Sequence, residues 1–358
     1  MTARPWIVLV GGFLGAGKTS LLLAAGKELR RRGVRSAIIL NDQGDALVDS
    51  NYAALHGLDW GEVRGGCFCC RFSDLVRVID QVRQHAPDVI FAEPAGSCTD
   101  LSATVLRPLQ ESGSGFRIAP FTVLVDPQRA EALLRDNADA HLSYLFRRQM
   151  EEADLICFTK SDICPQPPAE IRTDGVRQIS AKTGQGIPAW LNEVLAGDLS
   201  SGAHALDIDY EEYARAEAAL AWLDLQVGIT PRVPASPALI LGPFLDRLDA
   251  DLTAAGIGIV HLKAIAQAET GFVRAAICAN GQQPEVEGML DASPALGHEL
   301  LLNLRALGEA AQVRRIVEQN LARLEAALDR PRIACFHPAP PRPERRLSAP
   351  FGPGSRFT

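Results

Sequence analysis

Lys18 and Thr19 close the run Gly12-Phe13-Leu14-Gly15-Ala16-Gly17-Lys18-Thr19, which fits the spacing Gly-x-x-x-x-Gly-Lys-[Ser/Thr] at each fixed position. Such a run suits the cradling of a nucleotide's phosphates. Glycines let main-chain N–H groups approach where a Cβ would intrude, the lysine supplies positive charge, and the threonine offers a hydroxyl to Mg²⁺. The apolar run Ile7-Val8-Leu9-Val10 before it reads as a buried strand. Ser20-Leu21-Leu22-Leu23 after it opens a helix whose positive dipole end faces the loop. Gly12, Gly15, Ala16, Gly17, Lys18, Thr19 and Ser20 are therefore candidate nucleotide-binding residues.

A second chemistry is written in Gly65-Gly66-Cys67-Phe68-Cys69-Cys70, three thiols within four residues. In an extended segment Cys67 and Cys69 share a face, and a turn brings Cys70 to the same ion. Three thiolates suit Zn²⁺, Co²⁺ or Cu(I), with a fourth position open to water, another residue or a client. Three core cysteines are the plainer alternative, since free cysteine is often buried. Cys98 reads first as a buried thiol on a following helix and second as a fourth ligand.

Further candidates stand at the ends of apolar runs. Residues 36–40 read as a strand delivering Asp42, a candidate for the Mg²⁺ shell, in a stretch whose Asn, Asp and Gly equally describe a solvated turn. Residues 88–92 deliver Glu93-Pro94-Ala95-Gly96, where the carboxylate is placed to hold Mg²⁺ and the Gly96 N–H to sense a γ-phosphate. Lys18, Thr19 and Glu93 are the candidate catalytic residues. After two later strands come Thr159-Lys160-Ser161-Asp162 and Ser180-Ala181-Lys182. An aspartate there accepts from guanine N1–H and the 2-amino group, the Lys160 stem lies along the ring, and the Ala181 N–H reaches O6.

The elements that must position these groups alternate strand and helix, which is an α/β pattern with a mostly parallel sheet. Gly33 caps the first helix after Arg30-Arg31-Arg32, and residues 120–154 read as scaffold. With 358 residues, 47% hydrophobic and 22% charged, the chain has room for two folded domains. A formal charge of −7 argues against a general nucleic-acid binder. No apolar run reaches the length of about 18 residues that a membrane span needs, and the phosphate loop starts too near Met1 for a cleavable leader. A cytoplasmic protein is expected, with its eight cysteines reduced.

The set of phosphate loop, Cys-x-Cys-Cys, Glu-x-x-Gly and Thr-Lys-x-Asp resembles the CobW-type GTPases, relatives of the HypB and UreG metallochaperones, over about residues 5–197. The resemblance implies a SIMIBI-type P-loop NTPase fold with helices on both faces of the sheet and hydrolysis of GTP to GDP with Mg²⁺. It further implies a Zn²⁺ or Co²⁺ site at Cys67, Cys69 and Cys70, used to deliver metal or a metallocofactor. The partners then expected are a client metalloprotein or metallocofactor enzyme and a GTP-dependent homodimer, without nucleic acid or membrane. This chain departs from the family in having Pro94-Ala95 where a hydroxyl residue is usual, and Thr159 where Asn is commoner. Two other readings stand: a GTPase that gates a corrinoid or other metalloenzyme by contact, with structural cysteines, and a nucleotide-binding thiol redox sensor.

Composition divides the chain into a GTPase domain over residues 1–199, a smaller C-terminal α/β domain over 200–330 and a Pro/Arg-rich extended tail over 331–358. In the second domain the pattern predicts strands over 218–227 and 299–307, a helix over 244–254 and a hairpin of 257–266 with 271–279. One long helix is expected to carry Val313, Ile316, Val317, Leu321, Leu324 and Leu328 on a face. From Arg330 onward, seven prolines and six arginines against one acid predict a segment that cannot fold alone, either laid along a surface or, the reading preferred, solvated.

Overall fold

In the computed structural model the described residues are 4–42, 48–55, 59–113, 115–166, 171 and 177–348, and the Asp42 side chain lies outside the description. The chain forms two units. The first takes Met1–Gln43, Asp49–Ala216 and Pro340–Thr358, and the second takes Gly44–Val48 and Glu217–Ala339.

Apolar runs and helical periodicities alternate through the first unit as β1 (Trp6–Gly12), α1 (Lys18–Arg31), β2 (Ser36–Asp42), α2 (Val48–Leu55), β3 (Asp59–Arg64), α3 (Phe72–Arg83) and β4 (Val89–Glu93). A π-helical turn, Ser102–Leu106, then runs into α4 (Arg107–Glu111). There follow β5 (Arg117–Ile118), β6 (Thr122–Val125), α5 (Pro127–Leu134), α6 (Ala140–Glu151), β7 (Leu155–Phe158), β8 (Arg177–Gln178), α7 (Ile187–Val194) and α8 (Tyr210–Ala218).

The strands make one parallel sheet in the order β3-β2-β4-β1-β6-β7-β8, with β5 also beside β1. Every residue of β1 and β4 is buried, which is why both read as unbroken apolar runs rather than alternating ones. From β1 the chain crosses one way to β2, and from β4 it crosses the other way to β6. With the usual right-handed crossover, the connecting helices fall on opposite faces and a crevice opens at the carboxyl end of β1.

The first unit extends past residue 199 to Ala216. The Ser/Gly stretch there is tied down rather than loose: the Asp154 carboxylate accepts from Gly202 N–H (2.7 Å) and Ala203 N–H (2.9 Å). The buried Arg107 guanidinium holds the carbonyls of the same two residues, at 2.9 and 3.0 Å.

In the second unit β9 (Leu220–Pro231), α9 (Pro237–Ala254), β10 (Gly258–Ala268), β11 (Gly271–Ile277), β12 (Glu285–Gly288), β13 (His298–Leu307), α10 (Ala310–Ala322) and β14 (Ala326–Phe336) give an antiparallel sheet ordered β12-β11-β10-β13-β9-β14. Phe244, Leu248 and Leu252 of α9 and Val313, Val317 and Leu321 of α10 join Leu223, Leu225 and Val227 of β9 in one core. The expected long helix stops at Ala322, and Leu328 instead pairs with Ile229 on an edge strand. Arg330-Pro331 lies inside this strand. Proline lacks the N–H a helix needs, and here the pair sits at a register shift between Asp329 and Arg332, with Arg330 at φ 48°. Residues 331–336 therefore belong to β14 and not to a tail. Among the described residues no helix is long and apolar enough to cross a membrane.

Two buried charges are exposed to test. Asp224 accepts from Asn303 Nδ2 (2.6 Å) and Arg305 Nη1 (3.1 Å), while the guanidinium of Arg305 lies 3.9 Å from the Trp222 ring centre. Asp224→Ala leaves Arg305 without that buried counter-charge and should cost about 3–5 kcal/mol. Glu318→Ala, which breaks the half-exposed pair with Arg314, should cost at most about 1 kcal/mol. Urea unfolding followed by circular dichroism compares them.

In the first unit, burial pushes the Glu152 carboxyl up to about 8, although Ser102 N–H (3.2 Å) and Thr99 Oγ1–H (3.1 Å) both donate to it. The folded state then keeps a proton that the unfolded chain loses above its ordinary value of 4.5. Stability should fall as pH rises from about 4.5 to about 8, by at most about 1.4 kcal/mol per pH unit. Glu152→Gln should flatten that slope, read from urea midpoints across the same range.

Candidate functional site

At the end of β1 the chain turns through Gly12, at φ 138°, where an added Cβ would meet the Leu124 carbonyl oxygen at 2.5 Å, so only glycine fits. Gly17, at φ 87°, starts α1 without a side-chain cap, which leaves the positive end of the helix dipole facing the loop. Lys18 and Thr19 are both buried. Lys18 Nζ donates to the Gly12 carbonyl at 2.8 Å, folding its charge back over the loop. Thr19 Oγ1 lies 3.1 Å from Glu93 Oε1 and 3.2 Å from Asp49 Oδ1. Asp49 was not among the sequence candidates; its only signal was an acid in the first turn of α2.

The thiols follow β3. Gly65 at φ 71° and Gly66 at φ 157° turn the chain, and the Arg71 N–H closes a helical turn on the Cys67 carbonyl at 2.9 Å just before α3. The Sγ atoms of Cys67, Cys69 and Cys70 all lie within 4.8 Å of one another, with Cys67 and Cys69 buried and Cys70 half-buried. Cys69 to Cys70 is 3.7 Å, matching the edge of about 3.8 Å that a tetrahedron of 2.3 Å Zn–S bonds requires. Cys67 to Cys69 is 2.8 Å and would open by roughly 1 Å to meet the same geometry. The donor set therefore fits a thiophilic ion. Hydrogen bonds from Cys69, then Cys70 and Cys98, hold Cys67 well below the usual thiol range, whereas the bond to Cys67 pushes Cys69 well above it. Cys70 is raised to about 11, chiefly by its hydrogen bond to Cys67. Cys98 is buried against Cys67 in the turn after Gly96 and not on a helix.

One side chain joins these segments. Asn41, near the end of β2, donates through Nδ2 to the carbonyls of Val63 (3.1 Å) and Gly66 (2.8 Å). Its Oδ1 accepts from Phe68 N–H (3.0 Å) and Ala95 N–H (3.4 Å). The thiol loop and the Glu93–Gly96 stretch thus share one carboxamide. Gly96 also presses on the phosphate loop, where a Cβ would come within 2.8 Å of the Leu14 side chain and 3.1 Å of its Cα. Gln149 of α6 donates to the carbonyls of Gly96 (3.0 Å) and Cys98 (2.9 Å), so the helix read only as scaffold carries this turn.

The two later motifs also meet. Ser161 N–H reaches the Ile179 carbonyl at 3.3 Å, and Ser180 Oγ–H donates to Asp162 Oδ1 at 2.7 Å while Asp162 stays exposed. Thr159 is buried and bonded to the Val125 carbonyl. Lys160, at φ 56°, pairs with Asp126 at 3.0 Å, a partner the sequence pattern did not single out. Ala181 is half-buried and Lys182 exposed beside this pair.

Among known proteins, the chain is 31% identical over 160 residues to the zinc chaperone YeiR of Escherichia coli (43% of this chain, 46% of that one). It is 23% identical over 214 residues to zinc-regulated GTPase metalloprotein activator 1 of Schizosaccharomyces pombe (57% and 49%). The chain thus spans about half the length of the curated relatives it matches. Similar solved structures include HypB from Helicobacter pylori in complex with nickel, at 12% identity and TM-score 0.43 over 56% of this chain and 92% of that one. Zn(II)-bound YjiA GTPase from E. coli aligns at 14% identity and TM-score 0.30 over 88% and 98%. The model of the CobW/HypB/UreG nucleotide-binding domain family matches residues 6–184, half of the 358, and the chain belongs to that family.

Proposed function

We propose that this chain is a GTP-hydrolysing metallochaperone that holds Zn²⁺ or Co²⁺ on Cys67, Cys69 and Cys70 and couples its nucleotide state to delivery of the ion. The observation that carries the reading is the bonding of the three-thiol loop, through Asn41, to the Glu93–Gly96 stretch that packs on the phosphate loop. The names of the two curated relatives favour zinc as the cargo. A client metalloprotein and a GTP-dependent homodimer are the partners this function calls for, and a reducing cytoplasm suits the free thiols.

In this reading the loop from Gly12 to Thr19 binds the β- and γ-phosphates through main-chain N–H groups, with Lys18 spreading positive charge over them. Thr19, Glu93 and Asp49 supply the oxygens for Mg²⁺, with Asp42 as a further acid at the same sheet edge. These oxygens would hold Mg²⁺, which would supply charge withdrawal at the transferring phosphoryl group. Glu93 orients the Thr19 hydroxyl, and Gly96 N–H senses the γ-phosphate. The Asp162 carboxylate, steadied by Ser180, accepts from guanine, while the Lys160 stem covers the ring and its ammonium is pinned by Asp126. Pro94 and Ala95 carry no side-chain hydroxyl to steer water, so unaided turnover should be slow.

Phosphate release from GTP with Mg²⁺ should fall at least about 100-fold in Lys18→Ala, and Asp162→Asn should lose most of the preference for GTP over ATP in competition binding. Turnover that survives the loss of Lys18 contradicts the assignment.

Cobalt titration, read by thiolate-to-metal absorption, should give one ion per chain and none in the triple Cys→Ser variant. Its affinity should differ about tenfold between GTP and GDP states, with the reciprocal effect on nucleotide affinity. Asn41→Ala should keep the ion and reduce that ratio to about twofold or less. The 2.8 Å approach of Cys67 to Cys69 favours the redox-sensor alternative on one point. A nucleotide-sensitive disulfide in a protein that takes up no metal would establish that alternative instead.

A further inference from the structure

The Pro/Arg-rich segment returns to the first unit and lies across the thiol loop. Arg342 N–H donates to Cys70 Sγ at 3.1 Å, and Glu344 N–H donates to the Cys69 carbonyl at 3.0 Å. An extended chain presents every second N–H to the same side, and the alternate positions are Pro341 and Pro343, which have no N–H to satisfy. The Glu344 carboxylate then accepts from Ser73 N–H (2.9 Å) and Ser73 Oγ–H (2.5 Å), an anion on the first turn of α3. Beyond it, Arg346 pairs with buried Asp100 at 2.8 Å and reaches the Leu206 carbonyl at 2.7 Å. Leu347 N–H donates to the Ala103 carbonyl at 2.9 Å, while buried Arg107 holds the carbonyls of Leu347 and Ser348.

We propose that residues 342–348 are a strap, bound in cis, that closes the thiol loop, and that the ion passes to a client only when the strap is lifted. The inference rests on the metal-binding reading above. Cys67 and Cys69 are 3% and 1% exposed, so an incoming client thiol or imidazole must first displace Cys70, the half-buried donor. That sulfur is the one the Arg342 amide covers. An N–H···S bond and a chain laid over the sulfur both slow ligand exchange there. The far end of the strap is anchored at Asp100, four residues after Gly96, so the strap holds the thiol loop and the Glu93–Gly96 side of the site together. A client presenting an extended segment to this face has to compete for the Cys69 carbonyl, the Ser73 N–H and the Asp100 carboxylate.

The test uses the full chain and its Glu344→Ala/Arg346→Ala variant, with Ser73→Ala as a milder version that removes one contact. Two rates are read: alkylation of Cys70 by iodoacetamide in metal-free protein, located by mass spectrometry, and transfer of Zn²⁺ from loaded protein to excess chromophoric chelator. Both should rise about tenfold in the double variant and by a smaller factor in Ser73→Ala, with GTP affinity and the melting profile retained. Equal rates in native protein and folded variants would overturn the strap, and so would faster alkylation with unchanged zinc transfer. A protein that takes up no zinc at all would end the metallochaperone reading, and the alkylation rates would still decide whether the strap covers Cys70.

Discussion

The Asn41 carboxamide is the interaction on which the geometry of the site depends. Both of its donors and both acceptor directions are used, and the four partners come from β3, the turn after it, the thiol loop and the stretch after β4. A buried amide left half-bonded costs more than a bonded one gains, so these segments hold one arrangement together or exchange it together. An aspartate at this position would keep the acceptors for Phe68 and Ala95 but lose both donors to Val63 and Gly66. The short thiol loop, whose one large side chain is the buried Phe68, is in this way positioned by a strand end.

From that point the path of contacts between phosphate loop and thiols is short. Ala95 is bonded to Asn41, Gly96 touches Leu14 of the loop, and Gln149 fixes the carbonyls on either side of Ser97. The missing side chain of Gly96 is what lets the two segments approach, because any Cβ would strike Leu14. Glu152, one helical turn from Gln149, fastens the next stretch by accepting from Thr99 and Ser102 inside a fully buried setting. Gln149 and Glu152 thus fix this stretch at four residues, Gly96, Cys98, Thr99 and Ser102.

Legibility in the sequence follows the range of the interaction. The phosphate loop was readable because backbone geometry demands glycine at set positions, and its strand and helix because burial on both faces leaves apolar runs. Asp49, Asn41 and Asp126 were not read as site residues. Each meets its partners across 22 to 54 residues of chain, and a lone acid or amide carries no local pattern. In the second unit the 3.6-residue spacing of Val313, Ile316, Val317 and Leu321 was real, but Leu324 and Leu328 continued it only by coincidence. Pro331 and the alternation of Ile333 with Cys335, both partly buried against the core, were the strand signals that spacing obscured.

The C-terminal segment shows how composition misleads when the partner surface is unseen. Few apolar residues mean no core of its own, and that much was legible; over residues 340–348 the preferred solvated reading failed because the first unit supplies the bonding groups, while residues 349–358 lie outside the described residues. The lone acid Glu344 among arginines, and prolines at 341 and 343 flanking the N–H at 342, were the local marks of an extended chain built to dock. Proline also restricts the unbound chain, so less conformational entropy is lost on docking than for a flexible segment. Each bond then contributes only about 1 kcal/mol net, with somewhat more from the charged contacts at Ser73 and Asp100. Contacts of that size hold a segment in place at equilibrium yet allow it to leave without unfolding anything beneath it, which is the energetic range a reversible cover over Cys70 requires.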